Sequence, residues 1–144
     1  MERTSAPDGR DPEVLLLPPD GTAAGVARRQ AQRLLGKWSL GQIREPLSLV
    51  VSELVGNAVR HGRPPFVLLL RKVRAGVRVD VHDESPQSRP SLPAPPPAHD
   101  QDAENGRGIG IVQSLSTATG IDQVPDDGKT VWAVVEPPTA SGAG

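Results

Sequence analysis

The alternation of apolar and polar residues predicts two amphipathic helices in the first half of the chain. From Ala23 to about Trp38, apolar residues recur at near-helical spacing, with most of the basic residues elsewhere on the wheel. A second such stretch runs from about Ile43 to His61 and stops at Gly62, just before Pro64-Pro65. Glycine after the last turn, followed by proline, is the usual order at the C-terminus of a helix.

Shorter apolar runs predict strands that come in adjacent pairs. The runs are Val14–Leu17, Phe66–Lys72, Val77–Asp83, Gly120–Val124 and Lys129–Glu136. A short helix is also predicted over Ile109–Leu115. Paired strands, in place of strands that alternate singly with helices, predict an α/β (α+β) two-layer sandwich. Its sheet would be mixed or antiparallel and would carry the helices on one face.

The composition of the remaining segments predicts one folded domain with loose ends. Residues 1–12 and 137–144 are rich in Pro, Gly, Ala, Ser and charge, so we expect flexible tails on a domain that spans 13–136. Residues 85–106 contain six prolines and almost no periodicity. So long a structureless stretch inside a small domain is usually functional or disordered.

Charge and cysteine content exclude several classes of function. With 16 basic and 17 acidic residues the net charge is -1, which argues against nucleic acid or an anionic membrane as a direct partner. The lack of cysteine excludes disulfides and thiolate metal sites, and the three histidines show no zinc-type spacing. No apolar run approaches the roughly 20 residues that span a bilayer, and no secretion signal is visible. We expect a cytoplasmic protein.

Polar residues lie together at the margin of the second helix. Glu53 and Asn57 are four residues apart beside the core-facing stripe, and His61 follows one turn later. A carboxylate and an amide on one ledge can hold a hydrated magnesium ion, although a solvated helix edge also explains them. Gly56 beside Asn57 costs about 1 kcal/mol of helix stability relative to alanine. Because this cost opposes helix formation, it favours a reason other than helix propensity for the presence of Gly56 and Asn57 in this helix.

Two further motifs have both a functional and a structural interpretation. Asp83 ends a strand, where it can accept a hydrogen bond from an amino group such as that of adenine, or form a turn. In Gly106-Arg107-Gly108-Ile109-Gly110 the glycines let backbone N–H groups approach phosphate oxygens, or provide a hinge. Gly128-Lys129-Thr130 is not a P-loop, because position 123 is Gln and residues 131–135 are predicted as a strand.

Together and in this order, the motifs resemble those of the GHKL ATPase superfamily, specifically its small anti-sigma-factor serine kinase branch. The matching segments are an N box at Ser52–Gly62, an adenine-site strand at Val79–Asp83, a glycine box at Gly106–Val112 and a last hairpin with Gly128–Trp132. The resemblance spans about 14–136. It implies a Bergerat-type ATP-binding fold, with residues 85–106 as a mobile ATP lid.

The resemblance also implies a role for each motif residue. Asn57 would coordinate Mg²⁺, Glu53 would orient or deprotonate the attacking nucleophile, and Asp83 would bind the adenine amino group. The phosphates would be surrounded by Gly106, Arg107, Gly108 and Gly110, with His61 close to them. Thr130 would assist in binding the base.

The activity that the resemblance implies is that of a serine/threonine protein kinase using ATP and Mg²⁺. Such a kinase phosphorylates a small anti-anti-sigma protein, sequesters a sigma factor when free of it, and often forms homodimers. The superfamily usually places two glycines after the adenine-site Asp, but Asp83 is followed by Glu84-Ser85-Pro86-Gln87. This departure favours, as an alternative, a nucleotide-gated binding module with weak catalysis. A histidine-kinase ATPase fragment is a third hypothesis, disfavoured because no phosphoacceptor helix pair precedes the N box.

Overall fold

A computed structural model describes residues 12–85, 110–123 and 127–138 of the chain. Its elements, in chain order, are β1 (Glu13–Leu17), α1 (Ala23–Trp38), a 3-10 turn (Gly41–Ile43), α2 (Arg44–His61), β2 (Phe66–Val73), β3 (Gly76–Asp83), β4 (Ala118–Gln123) and β5 (Lys129–Val135). Residues 110–115, ahead of β4, are helical. The predicted strands and the two long helices are confirmed to within two residues at each end.

Parts of the predicted organisation fall outside these residues. The predicted tails are described only at residue 12 and residues 137–138, and the predicted lid only at Ser85. Within the described residues, no helix is long and apolar enough to cross a membrane.

The strands of the described residues form one open sheet of five strands in the order β1-β2-β3-β5-β4. Each neighbouring pair is antiparallel. Of the two predicted arrangements, mixed and antiparallel, the sheet therefore has the antiparallel one. Because β5 lies between β3 and β4, the last residue of β3, Asp83, is paired with the first residue of β5, Lys129.

The core lies between the two long helices and one face of this sheet. Side chains of β3 alternate strictly: Val77, Val79 and Val81 are buried on the helix-facing side, whereas the intervening residues are half-buried on the far side. The largest fully buried side chains elsewhere in this core are Phe66, Leu34, Leu35, Ile43, Leu47, Leu68 and Leu70. Burial of one such side chain contributes about 1.5–3 kcal/mol, so this face fixes the register of the strands.

Asp83 continues the buried row of β3, although its side chain is a carboxylate and the rest of that row is apolar. Among the described residues, the buried polar or charged ones are Asp83, Ser85 and Lys129. All three lie at the same end of β3 and β5, where the sheet meets the end of α2. A buried polar group is costly unless it is paired, so this end of the core is the first place to look for function.

Candidate functional site

The C-terminal end of α2 lies directly on the end of β3. Gly62 closes the helix by donating its N–H to the Ala58 carbonyl oxygen at 2.7 Å. A β-carbon at position 62 would lie 2.5 Å from Asp83 Cγ and 2.8 Å from the Ala58 carbonyl oxygen. The chain then leaves alongside β3, since the Glu84 N–H donates to the Arg63 carbonyl oxygen at 2.9 Å. Two motifs that are distant in the sequence therefore form one corner.

Asp83, Ser85 and Lys129 make a buried polar cluster in that corner, called here the Asp83 cluster. The Asp83 side chain is 1% exposed, and its Oδ2 lies 3.3 Å from Lys129 Nζ. Its Oδ1 accepts a hydrogen bond of 2.7 Å from the Ser85 N–H. Lys129 Nζ also donates to Ser85 Oγ at 3.2 Å. The carboxylate and the ammonium thus compensate each other where water is largely excluded.

Gly128 fixes the start of β5 against the end of β3. Its φ of +73° is a left-handed conformation, and a β-carbon there would lie 2.1 Å from the Asp83 carbonyl oxygen. Glycine alone permits both this conformation and this approach of two backbones. The turn thereby holds Lys129 opposite Asp83 in the β3–β5 register.

Replacing Gly62 by alanine tests how closely α2 packs on the Asp83 carboxylate. We expect Gly62→Ala to destabilise the protein by about 1–3 kcal/mol, because the carboxylate and the helix backbone that surround the new methyl group are both held in place. Gly36→Ala in α1 is the matched control. A β-carbon at position 36 meets nothing within 4 Å, so this change should stabilise the protein by about 0.5–1 kcal/mol.

Urea-induced unfolding of both variants measures the difference. Two variants of equal stability would contradict the packing of Gly62 against Asp83.

The ledge predicted on α2 is present about one and a half to two and a half turns before this corner. Glu53 and Asn57 are both half-buried. Asn57 Oδ1 accepts a hydrogen bond of 2.7 Å from Arg60 Nη2, which brings a cation to the ledge. Along the helix axis Asn57 lies about 7.5 Å from Gly62, and Glu53 about 13.5 Å. The second distance is comparable with the length of a nucleoside triphosphate from its base to its terminal phosphate.

The other predicted site residues lie at varying distances from this corner. His61 is the exposed last residue of α2, and Gly110 is the exposed first described residue of the helical segment 110–115. Thr130 lies on the far face of the sheet, where its Oγ1 is 3.0 Å from His82 Nδ1. Gly106, Arg107 and Gly108 lie outside the described residues. The structure therefore brings Lys129, and not Thr130, to the Asp83 carboxylate.

The contacts of Gly62, Ser85 and Lys129 with Asp83 were not predicted from the sequence. From the sequence, Lys129 was placed in a predicted strand and hairpin and in the string that resembles a P-loop, without a role of its own. β5 is confirmed as a strand, in agreement with the rejection of the P-loop. The signal that would have found Lys129 is the β3–β5 register, since residues paired in an antiparallel sheet share a face.

The corner and the ledge fit a purine nucleotide with its metal. A buried carboxylate offers the acceptor that the amino group of adenine needs, and the buried polar groups around it favour a ligand with matching polar atoms. Carboxylate and amide oxygens are the protein ligands that Mg²⁺ prefers, and Arg60 beside Asn57 suits phosphate oxygens. The base would lie at Asp83 and the phosphates along α2.

Comparison with known proteins identifies the family. The sequence profile described as "Histidine kinase-like ATPase domain" matches residues 17–135, from the end of β1 to the end of β5. A search of curated protein sequences found no significant match. Among solved structures, full-length ShkA in complex with AMPPNP matches with 21% identity and a TM-score of 0.48, over 88% of this chain and 33% of that one. The chain thus spans about a third of the length of ShkA.

The profile match includes Glu53, Asn57 and Asp83, so the ledge and the corner both lie inside the region that defines the family. The match supports ATP binding and a kinase-like use of ATP. The chain belongs to the histidine kinase-like ATPase family of the GHKL superfamily.

Proposed function

We propose that the protein is an ATP-dependent serine/threonine kinase that acts in the cytoplasm as an anti-sigma factor. The observation that carries the proposal is that Glu53 and Asn57 lie on the same helix whose C-terminal end packs on the buried Asp83 carboxylate. This arrangement offers an acceptor for the base at one end and a carboxylate for the nucleophile at the other. The choice of a protein hydroxyl as acceptor rests on the resemblance of the N box to the anti-sigma-factor kinases.

Phosphoryl transfer requires little from the protein beyond positioning of the reacting groups and stabilisation of charge. The oxygen of a serine or threonine hydroxyl attacks the γ-phosphorus, the bond to the β–γ bridging oxygen breaks, and ADP leaves. Glu53 would accept the hydroxyl proton, and Arg60 would stabilise charge on the phosphate oxygens. Mg²⁺, held by Asn57 when bound, would neutralise charge on the β- and γ-phosphates.

The partner in this proposal is a small anti-anti-sigma protein, and phosphorylation would release it. The unphosphorylated partner would compete with a sigma factor for the kinase. With the partner phosphorylated and released, the kinase would be free to sequester the sigma factor. The level of transcription would then follow the supply of ATP and of unphosphorylated partner.

A phosphotransfer assay tests the proposal. Full-length protein, Mg²⁺ and γ-labelled ATP are incubated with candidate anti-anti-sigma proteins, and we expect label on a serine or threonine of one partner. Omission of Mg²⁺ is the control. A partner that binds the protein but acquires no label would overturn the kinase assignment.

A nucleotide-gated binding module is the second candidate, and the state of Asp83 favours it. The Ser85 N–H and Lys129 Nζ already bind the Asp83 carboxylate, so a base must share or replace these contacts. Such a site can bind ATP and change the affinity for a partner without turnover. Calorimetry with Mg-ATP, together with an ADP-release assay, separates the two candidates. Binding without ADP release, in the presence of partner, supports the module.

A further inference from the structure

Three side chains with metal-binding atoms converge on the far face of the sheet, opposite the Asp83 side chain. His82 on β3, Glu84 just after it, and Asp127 ahead of β5 each offer one ligand atom, and these atoms lie within 4.8 Å of one another. Alternation along β3 directs His82 to the face opposite Asp83. The three residues are therefore separate from the proposed nucleotide site.

The His82 ring is held in an orientation that suits a metal ligand. Its Nδ1 lies 3.0 Å from Thr130 Oγ1, and its Nε2 lies 3.0 Å from Glu84 Oε2. Metal-ligating histidines are usually oriented by a hydrogen bond from the other ring nitrogen. When a metal ion replaces the Nε2 proton that Glu84 accepts, Nδ1–H can donate to Thr130 Oγ1, and the Nε2 lone pair then points toward the carboxylates.

An ion pair between His82 and Glu84 explains only part of this arrangement. Among the described residues, it leaves the second carboxylate, that of Asp127, beside the first without a paired cation. Within residues 12–85, 110–123 and 127–138, no lysine or arginine forms an ion pair with Glu84 or Asp127. The neighbouring Lys129 is directed to the other face, toward Asp83. Two converging carboxylates with no lysine or arginine paired to them in the part of the chain that the structure describes favour binding of a positive ion.

The ligand set selects among cations. Mg²⁺ and Ca²⁺ prefer oxygen ligands alone, whereas one imidazole with two carboxylates suits zinc and related transition ions. Four-coordinate zinc with bonds of about 2.0–2.2 Å separates its ligand atoms by about 3.3 Å. The exposed carboxylates of Glu84 and Asp127 would need to move only about 1–2 Å to reach that geometry.

We propose that His82, Glu84 and Asp127 bind one divalent transition-metal ion of the zinc class, with water as the fourth ligand. The ion joins the end of β3 to the turn ahead of β5. Binding only to the folded protein, it raises the temperature of unfolding. Thr130 is a positioning residue in this site, because it contacts the metal only through His82.

Metal titration of the nucleotide-free, full-length protein tests the site. We expect calorimetry to show one Zn²⁺ bound per chain, and Co²⁺ to give the visible absorption of a four-coordinate ion with mixed nitrogen and oxygen ligands. Mg²⁺ should not compete at concentrations that saturate with Zn²⁺. His82→Asn and Asp127→Asn should each weaken Zn²⁺ binding at least tenfold. Thr130→Val should weaken it about 10–100-fold, and Thr130→Ser should restore it.

Two controls separate this site from other acidic or histidine-containing segments. Asp122→Asn changes an exposed acid of β4, and His99→Asn changes the histidine of His99-Asp100-Gln101-Asp102. Both variants should keep the wild-type affinity for Zn²⁺. Loss of binding only in His99→Asn, or wild-type affinity in either His82→Asn or Asp127→Asn, would overturn the proposal. So would the absence of Zn²⁺ binding by the wild type.

Circular dichroism and thermal unfolding of the metal-free variants check their folding. Asp127 is exposed and lies ahead of β5, so Asp127→Asn should fold like the wild type. Its affinity for Zn²⁺ decides the question even if His82→Asn unfolds.

Discussion

Asp83→Leu is expected to destabilise the protein by about 3–5 kcal/mol, because it leaves the Lys129 ammonium buried without its carboxylate. Of the two acceptors that the described residues give Lys129 Nζ, the Ser85 hydroxyl alone then remains. The whole free energy of unfolding of such a domain is about 5–15 kcal/mol, so a large fraction of its stability would be lost. Urea-induced unfolding, monitored by circular dichroism, measures the change.

The double variant Asp83→Leu/Lys129→Met should recover most of this loss. Replacing both members of a buried ion pair by apolar side chains is often neutral or stabilising, whereas removing one is not. Lys129→Met alone completes the double-mutant cycle. If the losses of stability in the two single variants add up to the loss in the double variant, Asp83 and Lys129 are not directly paired.

The exposed pair of Glu13 and Lys37 is the matched control for this cycle. Its atoms are 3.5 Å apart, and the Lys37 and Glu13 side chains are 53% and 35% exposed. Pairs of this kind contribute about 0–1 kcal/mol. We therefore expect Glu13→Gln/Lys37→Met to change stability by less than about 1 kcal/mol.

Glu53→Gln is expected to reduce phosphoryl transfer by at least about a hundredfold while ATP still binds. The substitution keeps the size of the side chain and removes the proton acceptor, which contributes about 10²–10⁴-fold in general base catalysis. Glu53 lies about 13.5 Å along α2 from Gly62, so the contacts of the base at Asp83 should be unaffected. The rate of phosphoryl transfer is measured as single-turnover transfer from labelled ATP to the partner. The affinity for ATP is measured by calorimetry.

Glu45→Gln is the control for this substitution, since Glu45 is an exposed acid in the first turn of the same helix. It should leave both the transfer rate and the ATP affinity unchanged. Wild-type transfer by Glu53→Gln would show that Glu53 is not the base. Parallel loss of binding and transfer would assign it a structural role instead.

The regular elements could be predicted because their signals are local. The end of α2 at His61 followed from Gly62 and the two prolines after it, and the β2–β3 hairpin followed from two alternating runs around residues 74–76. The two-layer arrangement followed in turn from the order of the elements. Glu53 and Asn57 could be placed on one side of α2 because helical spacing alone determines that relation.

The contacts of Asp83 could not be predicted because they depend on pairing between distant strands. Ser85 and Lys129 are 44 residues apart. Side chains alternate along a strand, so the register decides whether Lys129 or its neighbour Thr130 faces the helices. From the sequence Thr130 was expected at the base, but the β3–β5 register places it beside His82 on the other face. The same register creates the convergence of His82, Glu84 and Asp127, which the spacing of the histidines did not reveal.

The central claim is that ATP binds along α2 with its base at Asp83, and ATP binding by the double variant tests it most directly. Calorimetry with Mg-ATP should show binding by the wild type and by Glu13→Gln/Lys37→Met. Hydrogen bonds to charged groups contribute about 1.5–3 kcal/mol, so folded Asp83→Leu/Lys129→Met should bind at least tenfold more weakly. Wild-type affinity in the folded double variant would contradict the claim.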